Sequence, residues 1–246
     1  MGRGSELDDA AEDLAAFHAV EGLLDIVEAD PFGDELVQRQ SDIAADLALP
    51  PCTTPVNIYL FDDEAAFTRY MRQRHPLLPD RRAFFVRNDT DLMVFAWWGE
   101  RVAEDLRHEV THGYLHSQLP DLPLWLDEGL AEYYETPPAN DGYSSPHAHL
   151  LLDQLDRAQW QPDLKRLESI TKASSLTLMD YAESWLWVHW LLHDARGRSR
   201  LQQHVSEQLA NDGVLPISAS VGDDAEAALS QHLTSLRVRS GGIAHD

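Results

Sequence analysis

The chain is poor in cysteine, in basic residues and in long apolar runs, and each shortage removes a class of protein. The single Cys52 excludes an internal disulfide framework and a thiolate metal site. Lysine occurs only at Lys165 and Lys172, and 19 basic residues stand against 42 acidic ones, a net charge of −23. A surface of that sign repels phosphate, so no nucleic-acid partner is expected. No apolar run approaches the roughly 18 residues of a membrane span, and none is expected. The longest candidate, SWLWVHWLLH (184–193), is short and carries two histidines. The start, MGRGSELDDAAEDLAAF, lacks an apolar signal core, so the sequence as given carries no export signal. Its first five residues also read as the scar of a removed leader, which leaves localisation open. The acidic, lysine-poor balance has two readings, adaptation to high salt or a merely solubilising surface, and the second is simpler.

What is present suits a globular enzyme-sized unit. The 246 residues are 43% apolar and 9% aromatic, enough for a real core. Residues 5 to 48 read as helical, broken at the turn residues Asp30-Pro31 and Gly33. VNIYLF (56–61) reads as a buried strand, followed by a helix capped by Asp62 or Asp63. RAFFVRNDTDLMVFAWW reads as a hairpin turning at residues 88–91. A helix through LRHEVTHGYLH follows, then a second through WLDEGLAEYYE and a polar loop, TPPANDGYSSP. Helical periodicity returns at 147–157, 178–194, 198–211 and 223–237. The expected class is α+β: a small mixed sheet packed on the histidine-bearing helix, then a mainly helical lobe. The expected units are 1–50, an N-terminal helical segment; 51–117, the α/β lobe; and 118–246, the helical lobe. Together they form one domain.

His108-Glu109-Val110-Thr111-His112 is a HExxH pattern. Residues four apart sit one turn apart on the same helix face, so His108 and His112 can meet one metal ion. Glu109, about 100° further round, can stand beside that ion as a general base. Val102, Leu106, Val110 and Gly113 form an apolar stripe, so the helix borders a cleft from a core position. His116 lies about 12 Å from His108 along the axis, too far to share the metal. A catalytic zinc needs a third protein ligand. On WLDEGLAEYYE, Glu128, Glu132 and Glu135 share one side, opposite Leu126, Leu130, Tyr133 and Tyr134. Taken alone, such a row is a solvated face. Just downstream of HExxH, it offers Glu128 as third ligand and Glu132 as the carboxylate that orients a ligand histidine.

HEVTH followed by PLWLDEGLAEYYE resembles the signature of the gluzincin metallopeptidases, and most of all the bacterial peptidase MA-like family. The lead-in VNIYLFDDEAAF to LMVFAWW, the segment YAESWLWVHWLLHD and the closing VGDDAEAALSQHLTSL extend the resemblance over most of 50 to 237. It implies a gluzincin-like fold holding one zinc ion on His108, His112 and Glu128, with Glu109 as base and Glu132 orienting a histidine. It also implies a Tyr or His donor to the oxyanion. Tyr181 is the candidate, ahead of Tyr133, Tyr134, His147, His149 and His189. Trp185, Trp187 and Trp190 read as core. The fifteen residues between His112 and Glu128 are fewer than in the large gluzincin aminopeptidases, and no GxMxN motif is present, so exopeptidase action lacks support. The implied function is a zinc endopeptidase acting on peptides or proteins, with the acidic balance suiting cationic ones. The alternatives are a non-catalytic zinc-containing module that binds peptide or protein on the same fold, and a plain helical protein with accidental spacing.

Overall fold

Four strands, Leu23–Leu24 (β1), Val56–Phe61 (β2), Ala83–Arg87 (β3) and Leu92–Trp97 (β4), form one sheet in the order β1-β2-β4-β3. The computed structural model describes residues 23–24, 32–51, 54–88, 90–210, 214–222 and 224–240. β2 runs parallel to β4 with Val56 opposite Leu92, while β1 and β3 run antiparallel to their neighbours. The sheet is therefore mixed, and β3 is its edge on the side of the histidine-bearing helix. Leu23 and Leu24 correct the helical reading of 5–48: they pair with Phe61 and Leu60. That pairing gives partners to a β2 edge otherwise left with open backbone groups, and such a demand overrides local periodicity. The rest of the expected helix ahead of Phe32 lies outside the described residues, as do Cys52 and Asp89 of the hairpin turn.

The helices are Gly33–Leu47 (α1), Glu64–Arg74 (α2), Val102–His116 (α3), Leu124–Tyr134 (α4), Ser145–Asp156 (α5), Leu164–Glu168 (α6), Leu178–His193 (α7), Ala195–Ala210 (α8) and Ala225–Ser240 (α9). The class is α+β, strands in front and helices behind. Of the two capping candidates for α2, Asp63 takes the role and accepts from the Ala66 N–H at 2.8 Å. Thr177 and Asp180 close a reciprocal capping box that sets where α7 begins. Among the described residues no helix is long and apolar enough to cross a membrane.

Three apolar clusters hold these elements. Val102, Leu106 and Val110 of α3 pack on Leu60, Val94 and Ala96 of the sheet. Phe67, Tyr70 and Met71 of α2 fill the other face against Phe61 and Phe95. The largest cluster is helical and centres on Trp125, Leu130, Trp185, Trp187 and Leu191. The apolar stripe of α3 thus faces the sheet as expected, and at Gly113 the fit is tight: a Cβ there would lie 2.7 Å from Val56 Cγ1.

α4 and α7 approach at Gly129, where a Cβ would lie 2.6 Å from the Ser184 carbonyl oxygen and 2.8 Å from its carbon. Those are backbone atoms, which cannot swing aside. Gly129→Ala should gain up to about 1 kcal/mol of helix propensity and lose about 3 kcal/mol to overpacking. We expect a net loss of about 2 kcal/mol in urea unfolding. A stability equal to the parent's would mean the two helices separate freely.

Candidate metal centre and cleft

The apolar stripe of α3 turns His108 and His112 toward α4, and their Nε2 atoms face each other at 3.3 Å. Glu128 Oε2 lies 3.8 Å from each of them. Two nitrogens bound tetrahedrally at zinc distances would stand about 3.3 Å apart. The histidine pair therefore already has the spacing of a ligand pair, and the carboxylate is a few tenths of an ångström outside it. Glu128 is buried, and its Oε2 has no hydrogen-bond partner. A buried carboxylate oxygen left without a donor is costly unless a cation serves it. Burial pushes the Glu128 pKa up, and only the nearby imidazoles and Arg81 oppose that. The donor set of two imidazoles and one carboxylate suits zinc. His108, His112 and Glu128 thus come together as the sequence spacing anticipates.

The far nitrogens of the two imidazoles are held by carboxylates. His108 Nδ1 donates to Glu135 Oε2 at 3.0 Å, and His112 Nδ1 donates to Asp127 Oδ1 at 3.0 Å. These bonds fix the tautomer that leaves both Nε2 atoms free to face a metal. Glu132, expected in this role, instead meets His147 Nε2 at 2.7 Å, though it stays close to both His108 and Glu135. The correction has a simple cause. Glu128, Glu132 and Glu135 share a face, and the axial offset of α4 against α3 decides which of them reaches His108. Asp127 was not anticipated at all. Its second oxygen accepts from His116 Nε2 at 3.0 Å, so His116 steadies the carboxylate that orients His112. Phe85 of β3 lies parallel to the His116 ring, with centroids 5.5 Å apart.

Glu109 leaves α3 toward the edge strand, and its Oε2 accepts the Phe85 backbone N–H at 2.6 Å. It lines a cleft of about 570 Å³ together with Arg81, His108, Glu132, His147 and Tyr181. Tyr181, on the first turn of α7, lines the same cleft as His108 and Glu109. Burial raises its phenol pKa, and Glu128 adds to the effect while Arg81 opposes it. Tyr133, Tyr134, His149 and His189 do not line this cleft. The Tyr134 hydroxyl donates to Asp46 at 2.8 Å, His149 bonds Ser145, and His189 meets His232 at 2.8 Å. Trp185 and Trp187 are fully buried in the helical core. Arg81 is the cleft residue with least warning in the sequence, since it lies in the loop before β3 where no periodicity applies.

The charge balance of the imidazole pair yields a measurable consequence. Burial disfavours the His108 imidazolium, but the bond to Glu135 and the charges of Glu109 and Glu132 prevail and raise its pKa to about 10. Burial and Asp127 act on His112 in the same opposed way, with Asp127 winning. Two Nε2 atoms 3.3 Å apart have room for one proton between them. A raised pKa means this proton is bound at neutral pH and must leave when a metal arrives. Zinc binding at pH 7 should therefore release about one proton, and the affinity should rise about tenfold per pH unit up to the raised pKa. Calorimetry in buffers of different ionisation enthalpy measures the release; an enthalpy independent of buffer would mean the imidazoles are already neutral.

A search against models of known protein families finds no match to this chain, and a search of curated proteins finds none either.

Proposed function

We propose that this chain is a zinc-dependent metallopeptidase of the gluzincin kind, similar to the peptidase MA-like family, which hydrolyses peptide bonds with Glu109 as general base. The observation that carries the reading is the buried, unpartnered Glu128 Oε2 set 3.8 Å from two facing imidazole nitrogens, with Glu109 lining a cleft together with His108, one of the two. A zinc ion held by His108, His112 and Glu128 would supply Lewis acidity, activating water near neutral pH. Glu109 would take the proton of the attacking water and pass it to the leaving amine. Tyr181 O–H would donate to the oxygen on which charge develops. Asp127 and Glu135 would hold the two imidazoles in place throughout. The substrate would be a peptide or protein, and the excess of acidic groups suits a cationic one.

The second reading is a zinc-containing binding module without catalysis. The placement of Glu109 speaks against it, because holding a ligand needs no base at the metal's edge. Metal content and a peptide-library digest separate the two. Stoichiometric zinc with cleavage supports the peptidase. Stoichiometric zinc with no cleavage across a broad library supports the module, and no zinc at all removes both.

A further inference from the structure

Five of the 19 basic residues fall within RYMRQRHPLLPDRR (69–82), a stretch with one acidic residue, Asp80. In a chain with 42 acidic residues this is a local inversion of sign. The stretch is the second half of α2 and the loop into β3. Phe67, Tyr70 and Met71 turn the apolar side of α2 into its core cluster, and Arg69, Arg72, Arg74, Arg81 and Arg82 are all exposed. Basic residues at a helix C-terminus complement its dipole, which accounts for Arg72 and Arg74. It does not account for Arg81 and Arg82, nor for what lies between the two groups. There Leu77 and Leu78 are 97% and 40% exposed, and Leu77 is the most exposed large apolar side chain among the described residues. A leucine that exposed touches almost nothing of its own protein, so the loop tip projects into solvent. Pro76 and Pro79 bracket the two leucines and stiffen the tip. Single exposed leucines are ordinary; a stiffened pair set between arginines is not. The acidic residues nearby cancel only part of the charge. Asp80 meets Arg72 at 3.5 Å with both side chains in solvent, a weak pair, and Asp105 holds Arg82.

We infer that the Leu77–Leu78 tip and its flanking arginines form a docking surface for an anionic lipid bilayer. The leucines enter the interface while the arginines meet the negative headgroups. Apolar insertion and attraction to anionic lipid are the two contributions that surface binding sums, and this tip carries both. A projecting apolar tip suits a medium that yields to it, whereas a protein partner must offer a matching pocket. The net charge of −23 does not forbid the contact. At physiological ionic strength charges are screened over about 8 Å. The Asp62-Asp63-Glu64 run at the far end of α2 lies about 15 Å from Arg74 along the helix. Arg81 and Arg82 also line the metal cleft, so the docking surface adjoins it.

The test floats full-length protein, in about 0.15 M salt, with vesicles of phosphatidylcholine alone or with about one-third phosphatidylserine. The parent should bind the anionic vesicles about 10-fold or more above the neutral ones. Arg69→Gln combined with Arg72→Gln should lower that binding about 10-fold or more, since each arginine near such a surface contributes about fivefold. Leu77→Ser combined with Leu78→Ser should lower it about 10-fold as well. Leu215→Ser, an exposed leucine outside the stretch, should bind as the parent does. All these side chains are exposed, so each variant should unfold in urea at the parent's midpoint. Equal binding to the two vesicle types, or parent-like binding by either double variant, overturns the inference. Binding to polyglutamate or self-association, without vesicle binding and lost in the same variants, gives the surface to an acidic protein or a second copy and overturns it too. Vesicle binding reads neither zinc nor cleavage. Its failure therefore leaves the peptidase reading standing, and a chain that cleaves nothing leaves the docking surface standing.

Discussion

Glu109→Gln protein should hold zinc as the parent does and hydrolyse peptide about 10²- to 10⁴-fold more slowly. The expectation follows from where the side chain sits. Glu109 is not among the three donor atoms that face one another; its Oε2 accepts the Phe85 N–H at the edge strand instead. A glutamine carbonyl oxygen can accept the same bond, so the cleft keeps its shape. An amide cannot take a proton at neutral pH, so the substitution removes that capacity together with one negative charge near His108. Elemental analysis and steady-state kinetics on the same preparations read both halves of the prediction. Loss of zinc would make Glu109 part of the metal site. Unchanged turnover with zinc retained would remove it as the base and leave the proposed mechanism without a proton acceptor.

Glu128→Gln should move two measurements in opposite directions. Zinc affinity should fall about 100-fold or more, since the free energy of a four-coordinate zinc site divides into about 3 kcal/mol per ligand. The stability of the metal-free protein should stay level or rise. Burial has pushed the Glu128 pKa up, so ionised Glu128 costs the metal-free fold something, and the neutral amide removes that cost. By sign, a group whose pKa is raised on folding opposes the folded state once the pH exceeds its unfolded value. The stability gain should therefore appear at pH 7 and vanish near pH 4. Calorimetric zinc titration and urea unfolding of the stripped protein test the pair. A variant that binds zinc normally, or one that unfolds more easily without metal, would mark Glu128 as a structural residue.

Part of this site is written in local sequence. The i, i+4 spacing puts His108 and His112 on one helix face, the apolar stripe of α3 says which way that face turns, and the alternating hairpin ahead of it places a sheet edge alongside. What could not be read depends on how separate elements meet. Asp127 reaches His112 and His116 only because α4 crosses α3 at one particular height, and the same height gives Glu135 rather than Glu132 to His108. Arg81 enters the cleft from a loop whose path no periodicity describes. Leu23–Leu24 is too short for any pattern, and its strand exists only because β2 has an edge to fill. The five-residue α6 escapes for the same reason, being little more than one turn.

The three facing donor atoms have different supports. His108 and His112 ride on α3, which is anchored in the sheet cluster by Val102, Leu106 and Val110, whereas Glu128 rides on α4, which is anchored in the helical cluster by Trp125 and Leu130. Gly129 then joins α4 to α7 without the spacer of a side chain. The donor triangle therefore straddles a seam between two bodies of packed side chains, and anything binding there acts as a rivet. Filling the triangle would make the two bodies melt as one; emptying it would leave the seam to its apolar contacts and to the imidazole–carboxylate bonds of Asp127 and Glu135.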